Sequence, residues 1–546
     1  MNDETDFSAL DRQFGVFLQR LARAGADEAR LAGMCASRGR AEGHICVPLE
    51  EIVKLEEALT PTKLKKALRA SGVVGAPEDF TPLVLDKKNR LYLRRYFEYE
   101  QQLAQAILRR AAGDHSTGAS NETDLQKLAA ARAVANNFTV ITGGPGTGKT
   151  WTVMAILTLL QKESNGENVR IALAAPTGKA AARLTESVRE VNQTLKATTL
   201  HRLLGYLPNS PYFRHDAEHP LNADVVIVDE ASMIDLAMMA KLIDAVRPEA
   251  RLILLGDRDQ LASVEAGSVL ADICAAAESA QPNDPLFGAV VALRENYRFA
   301  PTGGIYRVST AVNAGDADAA LAAFQENADG EAGWQPLPDA AKLPSALRER
   351  LVTEFRPCLE TDDPLQALAR LQQFRILCAL RQGPFGVENL NAIAEEVLTE
   401  TGLLTPHPAG TYRGQPLTIT ENNYNLGLFN GDSGIILPDP EDNGELRAFF
   451  ISAEGKLRRF LPSRLPRHET AFAMTVHKSQ GSEFARVLLI LPDFDAPILT
   501  RELLYTGLTR AREQVEIWAP ETVLRAAISR RVTRASGLRE ALGKTS

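Results

Sequence analysis

The chain has 546 residues, 45% hydrophobic and 24% charged, with a formal net charge of -8. That length and balance exclude wholesale disorder and a single small core, and at about 100–200 residues per domain they predict roughly three or four domains. The acidic balance argues against a general polyanion binder, so any contact with nucleic acid must be local.

No run approaches the ~20 apolar residues a membrane helix needs. The N-terminal MNDETDFSAL is acidic, with no basic region leading into an apolar one, so the chain is expected in the cytosol. Cys35, Cys46, Cys274, Cys358 and Cys378 are odd in number, widely spaced and without C-x-x-C, which predicts buried thiols rather than disulfides or a zinc site.

In chain order, residues 1–115 read as mostly helical, as in FGVFLQRLARAG and LEEIVKLEEALTPTKLKKALRASG, and carry no catalytic constellation. The stretch AAGDHSTGASNETD has linker composition and marks a domain boundary. From there to residue 288 the pattern repeats as apolar strand, turn, helix. FTVIT, VRIALAAP, DVVIVDE and ARLILLGD are continuous apolar runs, as expected of a parallel sheet covered on both faces. A second α/β region is expected over 289–404 and 466–546, with FRILCAL, RVLLILP and EQVEIWAP as strands and VENLNAIAEEVLTE as a helix. Between its halves, residues 405–465 change to short strands broken by Gly, Asn and Asp, which predicts an inserted all-β module. The basic stretch LRAAISRRVTRASGLRE, with Arg525, Arg530, Arg531, Arg534 and Arg539, reads as a solvated helix face or frayed tail in preference to a nucleic-acid patch.

The chemistry begins in ITGGPGTGKT. Gly143, Gly144, Pro145, Gly146, Thr147, Gly148, Lys149 and Thr150 complete a phosphate loop between an apolar strand and a helix. Glycines let backbone N–H groups turn onto phosphate oxygens, Lys149 reaches the β and γ phosphates, and the Thr150 hydroxyl can ligate Mg²⁺. The strand VVIVDE ends on Asp229 and Glu230, one carboxylate for the Mg²⁺ shell and one to orient or deprotonate the attacking water. LLGDRDQ ends the next strand with Asp257, Asp259 and Gln260, the last able to bond both a γ-phosphate and the water. Arg298 in LRENYRF and Arg510 in YTGLTRAR are the cations a cleft between two domains needs at the γ-phosphate. Apart from that nucleotide Mg²⁺, the eight histidines show no metal-ligand spacing.

The ordered series LQKLAAA, GGPGTGKT, LAAPTGKAAARL, TLHRLLG, VVIVDEASMID, LGDRDQLASVEAG, NYRF, LFNGDSGI, AMTVHKSQGSEF and YTGLTRAR resembles the superfamily 1 DNA helicases, and more closely the RecD family of helicase subunits. RQGPFGVENLN and EGHICVPL are also similar to that family. The resemblance implies two RecA-like domains, an SH3-like β insertion and an N-terminal domain that docks onto a RecC-like subunit. It implies ATP with Mg²⁺ as cofactors, Gln126 reading the adenine, Tyr297 stacking on the base, Glu483 as a ribose contact, and Arg298 and Arg510 as arginine fingers. Pro176, Thr177, Lys179, His201, Thr475 and His477 match motifs that touch single-stranded DNA.

The implied function is 5′-to-3′ translocation within a heterotrimer with RecB-like and RecC-like subunits, unwinding DNA from broken ends for recombinational repair and degradation of foreign DNA. The chain has no nuclease carboxylate cluster with a partnering lysine apart from the ATPase set, so nuclease chemistry is expected on another subunit. The competing readings are a free-standing RecD-like helicase, an RNA-directed ATPase and a nucleotide-gated scaffold.

Overall fold

In the computed structural model, residues 7–56, 58–112, 124–163, 169–208, 210–326, 330–405, 410–423, 425–452 and 455–543 are described. Most of the linker read at 111–124 lies outside them. Four sheets organise the described residues.

The N-terminal region is helical as expected. Its first helix, Ala9–Leu21, is started by a capping box in which the Ser8 side chain accepts from the Asp11 amide and Asp11 reaches back to the Ser8 amide. Thr60 and Pro61 likewise start Pro61–Ser71, and Gly72 at φ 74° ends it. Helical periodicity did not reveal the small sheet threaded between these helices, formed by Cys46–Pro48, Arg90–Leu93, Leu83–Leu85 and Val74–Gly75 in that spatial order. These strands have two to four residues, too short to register an alternation. The long helix Arg94–Ala111 buries Leu103, Ile107 and Ala111 in the same cluster as Leu242 and Ile243 of the following domain.

The first α/β domain has a six-stranded parallel sheet in the order Val290–Ala292, Phe138–Thr142, Arg251–Gly256, Val225–Val228, Ile171–Ala175, Ala197–Thr199. Every residue of Phe138–Thr142 and Val225–Val228 is buried, which is why these strands read as unbroken apolar runs. The boundary expected at 288/289 is corrected here: Val290–Ala292 pairs with Val140–Thr142 and so closes the first sheet. A three-residue strand beside a boundary has no signal of its own to say which sheet it joins.

The second α/β domain is a five-stranded parallel sheet ordered Ala332–Gln335, Ala511–Trp518, Phe484–Ile490, Phe374–Cys378, Ala473–Thr475. The β module is an antiparallel sheet of Leu457–Phe460, Glu445–Ile451, Ser433–Asp439, Pro416–Ile419 and His468–Thr470. Its last strand lies beyond the expected limit of residue 465, a second correction, because His468–Thr470 pairs with Leu417–Ile419. Leu417, Ile436 and Phe450 of this module form a small cluster of their own, while Ile435, Leu437 and Phe449 pack into the core of the second α/β domain.

All five cysteines are buried thiols, as expected. No helix among the described residues is long and apolar enough to cross a membrane.

The C-terminal basic stretch is neither a frayed tail nor a solvated face throughout. After the helix Glu521–Ser529, Arg530 pairs with Asp495, and the chain then crosses from the second domain to the N-terminal region. There Ile45 N–H donates to the Ala535 carbonyl at 2.9 Å. The Arg534 guanidinium donates to the carbonyls of Ser263 (2.7 Å), Glu265 (2.9 Å) and Gly267 (2.7 Å) in the first domain. This strap ends in Leu538–Leu542, whose Leu538 and Leu542 join the cluster that holds Leu103 and Ile107.

Candidate active site

Parallel strands deliver their C-terminal ends to one edge of a sheet, and the turns there form the cleft. Thr142 pairs with Gly256, so the phosphate loop and Asp257 emerge side by side, and Asp229 follows the neighbouring strand. Within the loop, Gly146 (φ 81°) and Gly148 (φ 84°) adopt the left-handed conformation open to glycine. A Cβ on Gly148 would lie 2.0 Å from Gln126 Nε2, and one on Gly146 would lie 2.4 Å from Arg298 Cβ. The loop is thus closed in by the residues expected to recognise nucleotide. Gln126 Nε2 donates to the Thr147 carbonyl at 3.0 Å, and Tyr297 N–H donates to the Gly146 carbonyl at 2.8 Å. Tyr297 is 64% exposed, which leaves its side chain accessible to a base.

Lys149 begins the helix Lys149–Glu163, and its ammonium donates to the carbonyls of Gly143 (2.6 Å) and Gly144 (3.0 Å), bonds a phosphate can replace. Thr150 follows on the same first turn. Burial and the adjacent Glu230 charge push the Asp229 carboxyl up to about 6, partly offset by Lys149. Glu230 stands at φ 54°, a left-handed conformation unusual for a side chain of its size, and its N–H donates to Asp229 Oδ1 at 2.8 Å. Such strain collects where surrounding structure fixes a functional group.

The second domain completes the cleft. Arg510 is buried, and its guanidinium donates to Gln260 Oε1 at 3.1 Å and to the Ser482 carbonyl at 3.2 Å. Gln260 Nε2 donates to Asp257 Oδ2 at 2.9 Å, which also accepts from the Tyr505 hydroxyl at 3.1 Å. Burial raises the Asp257 carboxyl, while Lys149 opposes the shift. Arg298 donates through Nη2 to Glu483 Oε1 at 2.8 Å, and its Nη1 is buried without a partner. Burial alone would raise the Glu483 carboxyl, but Arg183 and Arg298 outweigh it and hold the group down to about 2. Its Oε1 is thus shared between two arginines.

These residues fit a nucleoside triphosphate. Gly146 and Gly148 leave a cradle that side chains would fill, Lys149 faces it, and an orphaned guanidinium nitrogen of Arg298 lies in the adjoining cleft. Among the described residues no cluster of three or more His, Cys, Asp or Glu could hold a metal, whereas Thr150 and Asp229 have the oxygen chemistry to share Mg²⁺ with phosphates and water.

The candidate DNA-contacting residues divide. Pro176, Thr177 and Lys179 follow the strand Ile171–Ala175, and Thr475 and His477 end the strand Ala473–Thr475, so both groups sit at C-terminal sheet edges. Lys179 is turned inward, its ammonium donating to Ser482 Oγ at 2.8 Å, and burial pushes it down to about 8. His201 packs edge-on against Phe213, with ring centroids 5.7 Å apart. Burial lowers both His201 and His477, which favours neutral rings at ordinary pH.

Sequence reasoning missed Arg183, Tyr505, Thr506 and Gln480. The Leu261 N–H donates to Thr506 Oγ1 at 2.9 Å, and Gln480 Nε2 donates to the Leu261 carbonyl at 2.8 Å, both across the domain boundary. Their signal was proximity in the chain, because Arg183 is four residues from Lys179 and Tyr505 five from Arg510.

Comparison with known proteins shows what the chain as a whole is similar to. Residues 4–92 match the family model "RecBCD enzyme subunit RecD, N-terminal domain", 126–266 match "AAA domain" and 470–517 match "UvrD-like helicase C-terminal domain". The RecBCD enzyme subunit RecD of Mycolicibacterium smegmatis is 40% identical over 94% of this chain and 93% of its own length. That of Mycobacterium tuberculosis is 42% identical over 96% and 94%. The ATP-dependent RecD2 DNA helicase of Deinococcus radiodurans is 30% identical over 91% of this chain and 65% of its own length. Among solved structures, the Pif1 helicase of Candida albicans covers 74% of this chain and 95% of its own, at 16% identity and TM-score 0.42. A phosphate loop, strand-end acids and buried arginine facing one cleft, together with end-to-end relatives at 40–42% identity, place this chain in the RecD family of RecBCD enzyme subunits.

Proposed function

We propose that the chain is the ATP-driven DNA helicase subunit of a RecBCD-type complex, working with RecB-like and RecC-like subunits on DNA ends. The observation that supports this most is the bond from Arg510 to Gln260, which ties a buried cation of the second domain to the strand-end turn of the first. A hydrolysis site divided between two domains converts nucleotide turnover into opening and closing, and that is what a translocase requires.

In this reading Gln126 and Tyr297 bind the adenine, and the loop amides with Lys149 hold the phosphates. Thr150 and Asp229 would hold Mg²⁺, which would supply charge neutralisation to the phosphates. Glu230 accepts a proton from the attacking water while Gln260 orients it. The water oxygen bonds to the γ-phosphorus, the bond to the β–γ bridging oxygen breaks, and Arg298 and Arg510 neutralise charge gathering on the equatorial and leaving oxygens. An arginine in that position contributes roughly 10³-fold or more. Pro176, Thr177, Lys179, Thr475 and His477 line the sheet edges where a single strand would cross both domains, with His201 at the margin.

The test is ATP hydrolysis and strand separation on duplexes with a 5′ or a 3′ single-stranded tail, by the full chain alone and with RecB- and RecC-like partners. Lys149→Gln is the control. The expected result is hydrolysis stimulated by single-stranded DNA, unwinding from the 5′ tail, and loss of both in Lys149→Gln. Hydrolysis indifferent to DNA even with partners would overturn the helicase reading in favour of a nucleotide-gated scaffold. Full unwinding without partners would favour a free-standing helicase.

A further inference from the structure

The turn Gly481–Ser482–Glu483 of the second domain is gripped from both sides. On the helix Gly178–Val188 of the first domain, Lys179 and Arg183 are four residues apart and therefore share a face. Lys179 donates to Ser482 Oγ at 2.8 Å, and Arg183 donates through Nη1 to the Gly481 carbonyl at 3.2 Å and through Nη2 to Glu483 Oε1 at 2.7 Å. From the opposite side, Arg510 donates to the Ser482 carbonyl at 3.2 Å. Glu483 Oε1 also accepts from Arg298 at 2.8 Å, so a single carboxylate oxygen bridges two guanidinium groups.

One carboxylate neutralises one of those two cations. Arg183 also feels the Glu230 and Asp229 carboxylates, and the buried Nη1 of Arg298, without a partner, is the donor left for a further anion. Arg183 belongs to the first domain and Glu483 to the second, so their bond forms only while the domains are closed. Arg298 follows the last strand of the first sheet, at the crossing between domains.

Resting on the reading of this cleft as an ATP motor, we propose that Arg183 and Glu483 form a closure latch that orients Arg298 toward the terminal phosphate. Arg183 is then a positioning residue: it acts through Glu483 on the Arg298 guanidinium and need not touch nucleotide. In the open state Glu483 keeps a single guanidinium partner, Arg298 loses the support that fixes its plane, and hydrolysis is slow. Closure on the strand delivers Arg183, and Glu483, the carboxylate that holds Arg298, is then fixed by two guanidinium groups in place of one. The latch thereby couples DNA-driven closure to hydrolysis at the level of kcat rather than of nucleotide affinity.

The experiment is steady-state ATP hydrolysis by the full chain, with and without single-stranded DNA, for the parent, Arg183→Ala, Arg183→Lys, Glu483→Gln and the Arg183→Ala/Glu483→Gln double variant. Lys149→Gln is included as a control, and thermal midpoints are matched. The expected result is a fall in DNA-stimulated kcat of about tenfold in Arg183→Ala, with KM for ATP changed by less than about threefold. Partial recovery is expected in Arg183→Lys, and a double variant no slower than the worse single one. Arg183→Ala within about twofold of the parent, or losses that multiply in the double variant, overturns the latch while leaving the motor reading intact. A parent without DNA-stimulated hydrolysis sinks the motor reading, and the latch with it.

Discussion

A single added carbon can close the nucleotide cradle. Gly148 is at φ 84° and a Cβ there would stand 2.0 Å from Gln126 Nε2, so Gly148→Ala combines backbone strain with displacement of the residue read as the adenine contact. Gln126 can swing aside because only its amide end is in the way, whereas the backbone strain remains. The expected outcome is at least about a tenfold loss of nucleotide affinity with an unchanged far-UV spectrum, measured by titration with a fluorescent ATP analogue. Parent-like affinity would show that the cradle is not where the phosphates bind. The loop residues were all legible in the sequence, because a phosphate loop needs particular residues at fixed spacing and its geometry is local. Glu483 was legible only as a type: the ribose role came from its motif, while its sharing between Arg183 and Arg298 depends on a residue 300 positions away.

At the scale of elements, the helix Arg94–Ala111 and the C-terminal strap meet at an ionisable contact. Glu100 is buried and accepts from the Gly537 N–H at 2.8 Å and from Ser536 Oγ at 3.2 Å, and its Oε1 has no partner. Burial pushes this carboxyl up to about 7, although the Gly537 amide and Arg90 pull the other way. A carboxyl raised above its unfolded value of 4.5 gives stability that is complete below that value and lost as pH rises through 7. Strap docking should therefore tighten between pH 8 and pH 6, and Glu100→Gln should flatten this dependence and stabilise the protein at pH 8 by about 1–3 kcal/mol. Hydrogen exchange of residues 94–111 at the two pH values checks it; exchange that speeds up at pH 6 would contradict the assignment. This contact was not legible in the sequence, since helical spacing around Glu100 marks only which face is apolar.

Across the whole molecule, Arg534 joins three parts. Its guanidinium holds the 263–267 turn that follows Gln260, Gly267 N–H donates to the Gly43 carbonyl at 3.0 Å, and Arg40 pairs with Glu265 at 2.6 Å. The Arg40–Glu265 pair is half-exposed and contributes little by itself. Arg534 has several backbone acceptors and no carboxylate partner at that turn, so its removal takes the donor from the Ser263 carbonyl and leaves those of Glu265 and Gly267 with the Ser263 hydroxyl alone. Arg534→Ala should cost about 2–3 kcal/mol of local stability and speed exchange in both the 263–267 turn and the Cys46–Pro48 strand. Faster exchange in only one of them would show that the strap does not couple the N-terminal region to the first domain.

What the sequence determined by itself was whatever short-range spacing encodes: the phosphate loop, the strand-end acids, the buried parallel strands and the order of the motifs. Those features need only neighbours along the chain, so their residue types betray them. Only the tertiary structure decided that Val290–Ala292 closes the first sheet, that His468–Thr470 belongs to the β module, and that Arg534 docks on a turn about 270 residues earlier. It alone brought Arg183 to Glu483 and Tyr505 to Asp257. Pairing partners so far apart leave no periodic trace, because the chain pays the entropy of their approach through the packing of whole domains rather than through any local preference.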